Sequence, residues 1–259
     1  MTVEVRFYAE LNDFLARRHQ GRSFECEPFP GTTVKDLVES LGVPHTEIDV
    51  VVVNGESVGF GYRVVDGDRV DAYPPFAMVD VTPLVHLWPA PLRPERFVLD
   101  VHLGRLARLL RLLGFDALWH SDAEDAALVA TSVGQGRILL TRDRGILKRG
   151  ALVHAYYVRE TGARRQLVEV VRRFDLLGAV RPFGRCLECN GLIVAVDKRE
   201  VEDRVPPRTR RDFEEFCRCT GCERVYWKGS HYDRLRAVVD EVARQGGSPQ
   251  PATKDLGPW

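Results

Sequence analysis

The sequence predicts a chain of mixed α and β structure in three consecutive modules: α+β at the N-terminus, α/β in the middle, and a small cysteine-bounded module after that. Three observations predict it. Residues 1–80 run strand, strand, helix, strand, strand. From Arg96, short apolar strands alternate with amphipathic helices, the pattern of a parallel sheet with helices on both faces. Residues 186–227 are bounded by paired cysteines.

Each element of the first module has a local cause. "TVEVRFY" alternates with period two and reads as a strand, "AELNDFLA" as a short helix, and "GRSFECEPF" as a strand pairing back on the first. In "GTTVKDLVESLG", Thr32 or Thr33 caps a helix whose Val34, Leu37, Val38 and Leu41 share one face. "IDVVVVNG" is a buried strand closed by an Asn-Gly turn, and "DGDRVDAYP" is the last strand. This order matches the ubiquitin-like β-grasp. Sulfur carriers of that fold need a free C-terminal Gly-Gly, whereas here the chain continues past residue 80 and Gly246-Gly247 lies far away, so a role in interaction or regulation is expected.

Residues 81–95, with four prolines, read as a linker. In the central module, residues 96–180, "RFVLD" is a strand ending in an acid, and "GRLARLLRLLG" a helix with leucines on one face and arginines on the other. "DALWH" is a strand, "SDAEDAALVATSVG" a helix with an acidic first turn, and "RILLT" a buried strand running into "RDRGIL". "ALVHAYYV" and "RQLVEVVRRFDLLG" add a strand and a helix. Residues 181–240 form the cysteine module and 241–259 a disordered tail.

Composition narrows the class. Hydrophobic residues make up 44% and charged residues 29%, as in ordinary globular proteins, and no apolar run reaches membrane-span length. The alternating, acid-bearing "MTVEVRFYAEL" does not resemble a signal peptide, so a cytoplasmic location is expected, where paired cysteines bind metal rather than each other. The zero net charge hides an asymmetry. Residues 1–80 hold 14 Asp+Glu against 7 Lys+Arg, and the remainder 23 against 30, which favours a polyanionic partner for the second part.

Asp100 and Asp143 follow strands, and Asp122, Glu124 and Asp125 lie at a helix start. Open α/β sheets bind ligands at the carboxyl ends of their strands. Carboxylates gathered there repel one another, and a hard cation such as Mg²⁺ resolves the repulsion. Such a cluster serves phosphodiester hydrolysis, with Arg142, Arg144 and Lys148 placed to hold phosphates. Any one of these acids also reads as a helix cap or turn residue; the conjunction carries the signal.

Two C-x₂-C pairs, Cys186/Cys189 and Cys219/Cys222, are separated by 29 residues and read as a closed, structural Cys₄ zinc site. Cys217 and Cys26 read as packing thiols. Arg208, Arg210, Arg211, Tyr226, Trp227 and Lys228 offer charge and stacking for nucleic acid, or, for Tyr226 and Trp227, packing of the small module.

"FVLDVHLGRLARLLRLLGFDALWHSDAEDAALVATSVGQGRILLTRDRGIL" resembles the Mut-seven C-terminal RNase domain, a PIN-like nuclease core followed by a zinc ribbon, over roughly residues 96–240. Many bacterial members carry an N-terminal ubiquitin-like β-grasp. The resemblance implies a metal-dependent ribonuclease using Mg²⁺ or Mn²⁺. Asp100, Asp143 and Asp125 match its acids, with Glu124 competing for the third position, and Arg105 joins Arg142, Arg144 and Lys148 on the substrate. It implies RNA as partner, with a protein partner for the β-grasp. The alternative is an RNA- or ribosome-associated binding protein that keeps the fold without catalysis.

Overall fold

A computed structural model of the chain describes residues 1–75, 87 and 96–245. The expected linker lies outside these apart from Leu87, as does the expected tail from residue 246. Among the described residues no helix is long and apolar enough to cross a membrane.

The elements begin with β1 (Val3–Phe7), β2 (Phe24–Cys26), α1 (Val34–Ser40), β3 (Val50–Val53), β4 (Glu56–Val58) and β5 (Arg69–Tyr73). Next come β6 (Arg96–Leu99), α2 (Gly104–Leu112), β7 (Asp116–Trp119), α3 (Asp125–Gln135), β8 (Ile138–Thr141), β9 (Ala155–Tyr157) and α4 (Ala163–Arg173). The last are β10 (Ile193–Val196), α5 (Pro207–Asp212), β11 (Phe216–Cys219), β12 (Val225–Tyr226) and α6 (Ser230–Gln245). The described residues divide into two compact units. One joins the residues up to 87 with 143–157, and the other joins 96–142 with 158–245.

The first unit contains a five-stranded sheet in the order β2-β1-β5-β3-β4, with β1 and β5 parallel and the other pairs antiparallel, which is the β-grasp. Thr33 caps α1 by accepting from the Asp36 amide. Asn54 and Gly55, both at positive φ, close a two-residue hairpin onto β4, a strand too short for sequence pattern to show. "AELNDF" is a 3-10 helix rather than an α-helix. Its buried Leu11 and Phe14 are three residues apart, matching three residues per turn. The core gathers Val3, Val5, Phe7, Leu37, Ile48 and Val70.

Residues 143–157, read from sequence as part of the central module, pack within this first unit. Arg144 donates to the Asp13 carbonyl at 2.8 Å and lies over the rings of Phe14 and Tyr157. Lys148 Nζ donates to the Glu39 carbonyl at 3.2 Å, and the Tyr157 amide to Glu47 Oε1 at 2.6 Å.

In the second unit β6 pairs in parallel with β7 on one side and β8 on the other. The helices α2 and α4 pack together, and α4 meets α6. Gly114, after α2, is required twice over. Its φ is +95°, and a Cβ there would stand 2.1 Å from the Arg181 carbonyl oxygen. The expectation that the arginines of α2 face away from the leucines fails at Arg111. It is 3% exposed, because its guanidinium reaches backbone carbonyls that water would otherwise have to satisfy.

The cysteine module is a three-stranded antiparallel sheet, β10-β11-β12. Its small core comprises Cys186, Ile193, Cys217, Cys219 and Tyr226, beside a second cluster of Val201, Val205, Phe216 and Trp227. Tyr226 and Trp227 thus pack the module. Residues 241–245, expected to be disordered, continue α6, whose Val238, Val239 and Val242 form a buried stripe.

Candidate active site and cysteine cluster

Asp100 follows the last residue of β6, the central strand of the three parallel ones, and is 5% exposed. Its two carboxylate oxygens accept from three donors. Oδ1 takes the His102 amide at 2.8 Å, and Oδ2 takes the Thr141 hydroxyl at 2.5 Å and the Arg142 amide at 2.7 Å. Thr141 is the final residue of β8, so the two parallel neighbours meet at their carboxyl ends through this carboxylate. Sequence reasoning missed Thr141. The available signal was a buried hydroxyl ending an otherwise aliphatic strand, "RILLT".

Asp125 is the first residue of α3 and exposed. The preceding Glu124 occupies the N-cap position yet makes no side-chain capping bond. Asp122 falls before the helix, so the acidic first turn expected over "SDAED" narrows to Asp125. Asp143, exposed, accepts from the Gly145 amide at 2.6 Å and groups with the first unit.

The basic residues read as phosphate contacts stand as follows. Arg105 is exposed on the first turn of α2. Arg142 turns its Nη1 to the carbonyls of Val158, Arg159 and Glu160. Arg144 and Lys148 make the first-unit contacts described above.

Among the described residues, one group of three or more His, Cys, Asp or Glu places its ligand atoms within 4.8 Å of one another: Cys186, Cys189, Cys219 and Cys222. The structure therefore brings the cysteines together and leaves Asp100, Asp125 and Asp143 outside such a group. The Cys186–Cys222 and Cys189–Cys219 sulfur separations are 3.6 and 3.4 Å. A tetrahedral ion with metal–sulfur bonds of about 2.3 Å needs sulfurs about 3.8 Å apart, so the quartet fits one. Amides of Cys189, Gly221 and Cys222 point at the sulfurs. Gly191 is confined here, since a Cβ would stand 2.9 Å from Cys219 Sγ. Burial raises the Cys186 thiol, but donation from the Tyr226 hydroxyl at 3.0 Å and from backbone amides outweighs it and brings the thiol down to about 7. Burial pushes the Cys217 thiol, which is outside the quartet, up to about 11.

The knuckle carrying Cys186 and Cys189 is fastened to the parallel sheet. Arg111 Nε donates to the Ala117 carbonyl, and its Nη1 to the carbonyls of Leu187 and Glu188. Asn190 accepts from the Ala117 amide and donates to Asp116, which also accepts from Nη1 and Nη2 of Arg137. Three side chains, Arg111, Asn190 and Asp116, thus tie the edge strand β7 to the cysteine loop.

Residues 1–80 match the family described as Mut7-C ubiquitin, and residues 95–239 the Mut7-C RNAse domain. No curated protein matches the chain. Two solved structures of the small archaeal modifier protein SAMP1 from Haloferax volcanii resemble part of it at 21% identity. They cover 30% and 29% of this chain and 98% of theirs, with TM-scores of 0.25 and 0.24. With more than half its length in one match, the chain belongs to the Mut7-C RNAse domain family, and a ubiquitin-like domain precedes its nuclease-type domain.

Proposed function

We propose that this protein is a metal-dependent ribonuclease that hydrolyses RNA phosphodiester bonds, with Asp100, Asp125 and Asp143 as ligands of Mg²⁺ or Mn²⁺. The observation that carries the reading is Asp100, a nearly buried carboxylate fixed by Thr141 and Arg142 at the carboxyl end of the central strand. Ligands bind at that place in open parallel sheets. Carboxylates suit a hard divalent ion, which when bound would supply charge stabilisation and a more acidic water.

The chain's own residues have separable tasks. Thr141 and the His102 and Arg142 amides orient Asp100. Asp125, at the exposed start of α3, brings a second carboxylate from a helix end, and Glu124, free of capping duty, stands beside it. Asp143 supplies the third from the turn after β8. Arg105 is the exposed cation on the first turn after Asp100 and would orient the phosphodiester. The cysteine quartet would hold Zn²⁺. Four thiolates leave no open position, so that ion braces the fold. A protein partner for the β-grasp and a cytoplasmic location complete the reading.

The test is cleavage of single-stranded RNA with Mg²⁺ or Mn²⁺ by wild type, Asp100→Asn and Asp143→Asn. Divalent-dependent cleavage by wild type, reduced at least about 100-fold in each variant, supports the assignment. RNA binding by wild type without cleavage under any divalent ion sinks it and leaves a binding protein.

A further inference from the structure

The second unit contains a cavity of about 290 Å³ set apart from the acidic residues. One wall is aromatic. Trp227 lines it beside Phe183 and Tyr232, whose rings stack with centroids 4.6 Å apart. Phe183 sits at φ +63°, in the left-handed region that a bulky residue adopts only where its surroundings impose it. Charged side chains line it as well. Arg108 reaches Glu188 Oε1 at 2.8 Å and Arg224 reaches the same oxygen at 3.5 Å. One carboxylate therefore serves two guanidinium groups. Both arginine side chains are about half exposed, at 52% and 56%, so these ion pairs are weak and exchangeable.

We propose that this cavity binds one nucleotide of single-stranded RNA, with its base on the aromatic wall and its phosphate on Arg108 and Arg224 in place of Glu188. Flat π-faces accept any base by stacking, and paired guanidinium groups suit a phosphate. The volume is at the lower end for ligand pockets, which suits a single nucleotide and excludes a duplex. The choice of RNA as source of that nucleotide rests on the ribonuclease reading; the base-plus-phosphate chemistry rests on the cavity alone.

The test measures binding of a fluorescein-labelled oligouridylate to the zinc-loaded full chain by anisotropy, without added Mg²⁺ or Mn²⁺. Arg108→Ala combined with Arg224→Ala should weaken binding at least tenfold and flatten the log–log salt dependence by about one to two. Glu188→Gln should tighten binding about threefold or more, because it releases both arginines. Uridine monophosphate should quench tryptophan emission in wild type and not in Trp227→Phe. The proposal is overturned if both arginine and Glu188 variants bind like wild type. It is equally overturned if inorganic phosphate competes as well as the nucleotide, or if a polyglutamate peptide competes as well as RNA. Arginine-dependent RNA binding with no cleavage under any divalent ion would sink the ribonuclease reading and leave this one standing. Cleavage with binding indifferent to Arg108, Arg224 and Glu188 would do the reverse.

Discussion

Replacing Arg111 by Met should loosen the cysteine knuckle from the parallel sheet, and the size of the loss can be worked from three bonds. Arg111 Nε donates to the Ala117 carbonyl at 2.8 Å, and Nη1 to the Leu187 and Glu188 carbonyls at 3.0 and 2.7 Å. Hydrogen bonds from a charged donor are worth about 1.5–3 kcal/mol each. Burying the guanidinium costs part of that, and the same burial lowers its proton affinity against the opposing pull of the neighbouring thiols and Glu188. Methionine removes the desolvation cost and refills the volume. It leaves the buried Ala117 carbonyl without its Arg111 donor, at about 1–3 kcal/mol, while Leu187 and Glu188 lie nearer water. The expected net loss is about 2–4 kcal/mol, a fall in Tm of roughly 5–15 °C for a chain of this size. Urea and thermal unfolding of the full chain would measure it, with chelator-accessible metal from the cysteine quartet as a second readout that should rise. Arg108→Met is the control, one turn earlier on α2 with a half-exposed side chain, and should change stability by less than about 1 kcal/mol. Equal effects of the two substitutions would refute the idea that Arg111 fastens the knuckle.

Three further outcomes follow from the same geometry. Cys186→Ser should abolish stoichiometric binding of the proposed zinc ion and make residues 181–245 sensitive to protease, with the first unit's core unaffected; metal retained at wild-type stoichiometry would contradict the quartet. Burial alone would raise the Asp116 carboxyl, but Arg137, Asn190 and Arg185 outweigh it and hold it below the usual range, so its stabilisation is present above about pH 4 and fades as pH falls below that. Asp116→Asn should therefore be less stable than wild type at pH 7, with the gap narrowing toward pH 2 in urea titrations; a gap independent of pH would contradict this. Gly114→Ala should lose at least about 2 kcal/mol in denaturant unfolding, from its positive φ and the approach to the Arg181 carbonyl, and a neutral effect would show that the turn can relax.

Legibility in the sequence tracked how local each cause was. The strand alternation of β1, the Thr33 cap and the Asn54-Gly55 turn are written in adjacent residues, and the structure places all three as expected. The cysteine pairs were equally legible, because C-x₂-C spacing encodes its own chelate geometry. Illegible were β4, three residues long, and β11, "FCRC", four residues buried at all but Arg218 and so without a period-two pattern. Thr141 was missed because its role depends on Asp100, forty-one residues away, and parallel pairing is a non-local event.

Three arginines share a role that the sequence did not show, and it bears on the ubiquitin-like domain. Arg111, Arg142 and Arg144 all read as exposed charge, two of them as phosphate ligands, and all three turn to backbone carbonyls: Leu187 and Glu188, residues 158–160, and Asp13. A planar guanidinium with five donors satisfies carbonyls at loop ends better than any other side chain, and those carbonyls carry no residue-type signal. For Arg144 the consequence reaches the neighbouring residue, Asp143. The turn holding Asp143 is followed at once by a side chain anchored on the β-grasp at Asp13, Phe14 and Tyr157, and then by Lys148 on the Glu39 carbonyl. His45 adds a contact to the Leu152 carbonyl at 3.0 Å. The β-grasp thereby packs with the segment that begins at Asp143, the residue proposed above as the third carboxylate. Fifteen residues of the nuclease-type sequence, 143–157, therefore belong to the packing unit of the ubiquitin-like domain, a structural tie that stands beside the partner binding proposed for it.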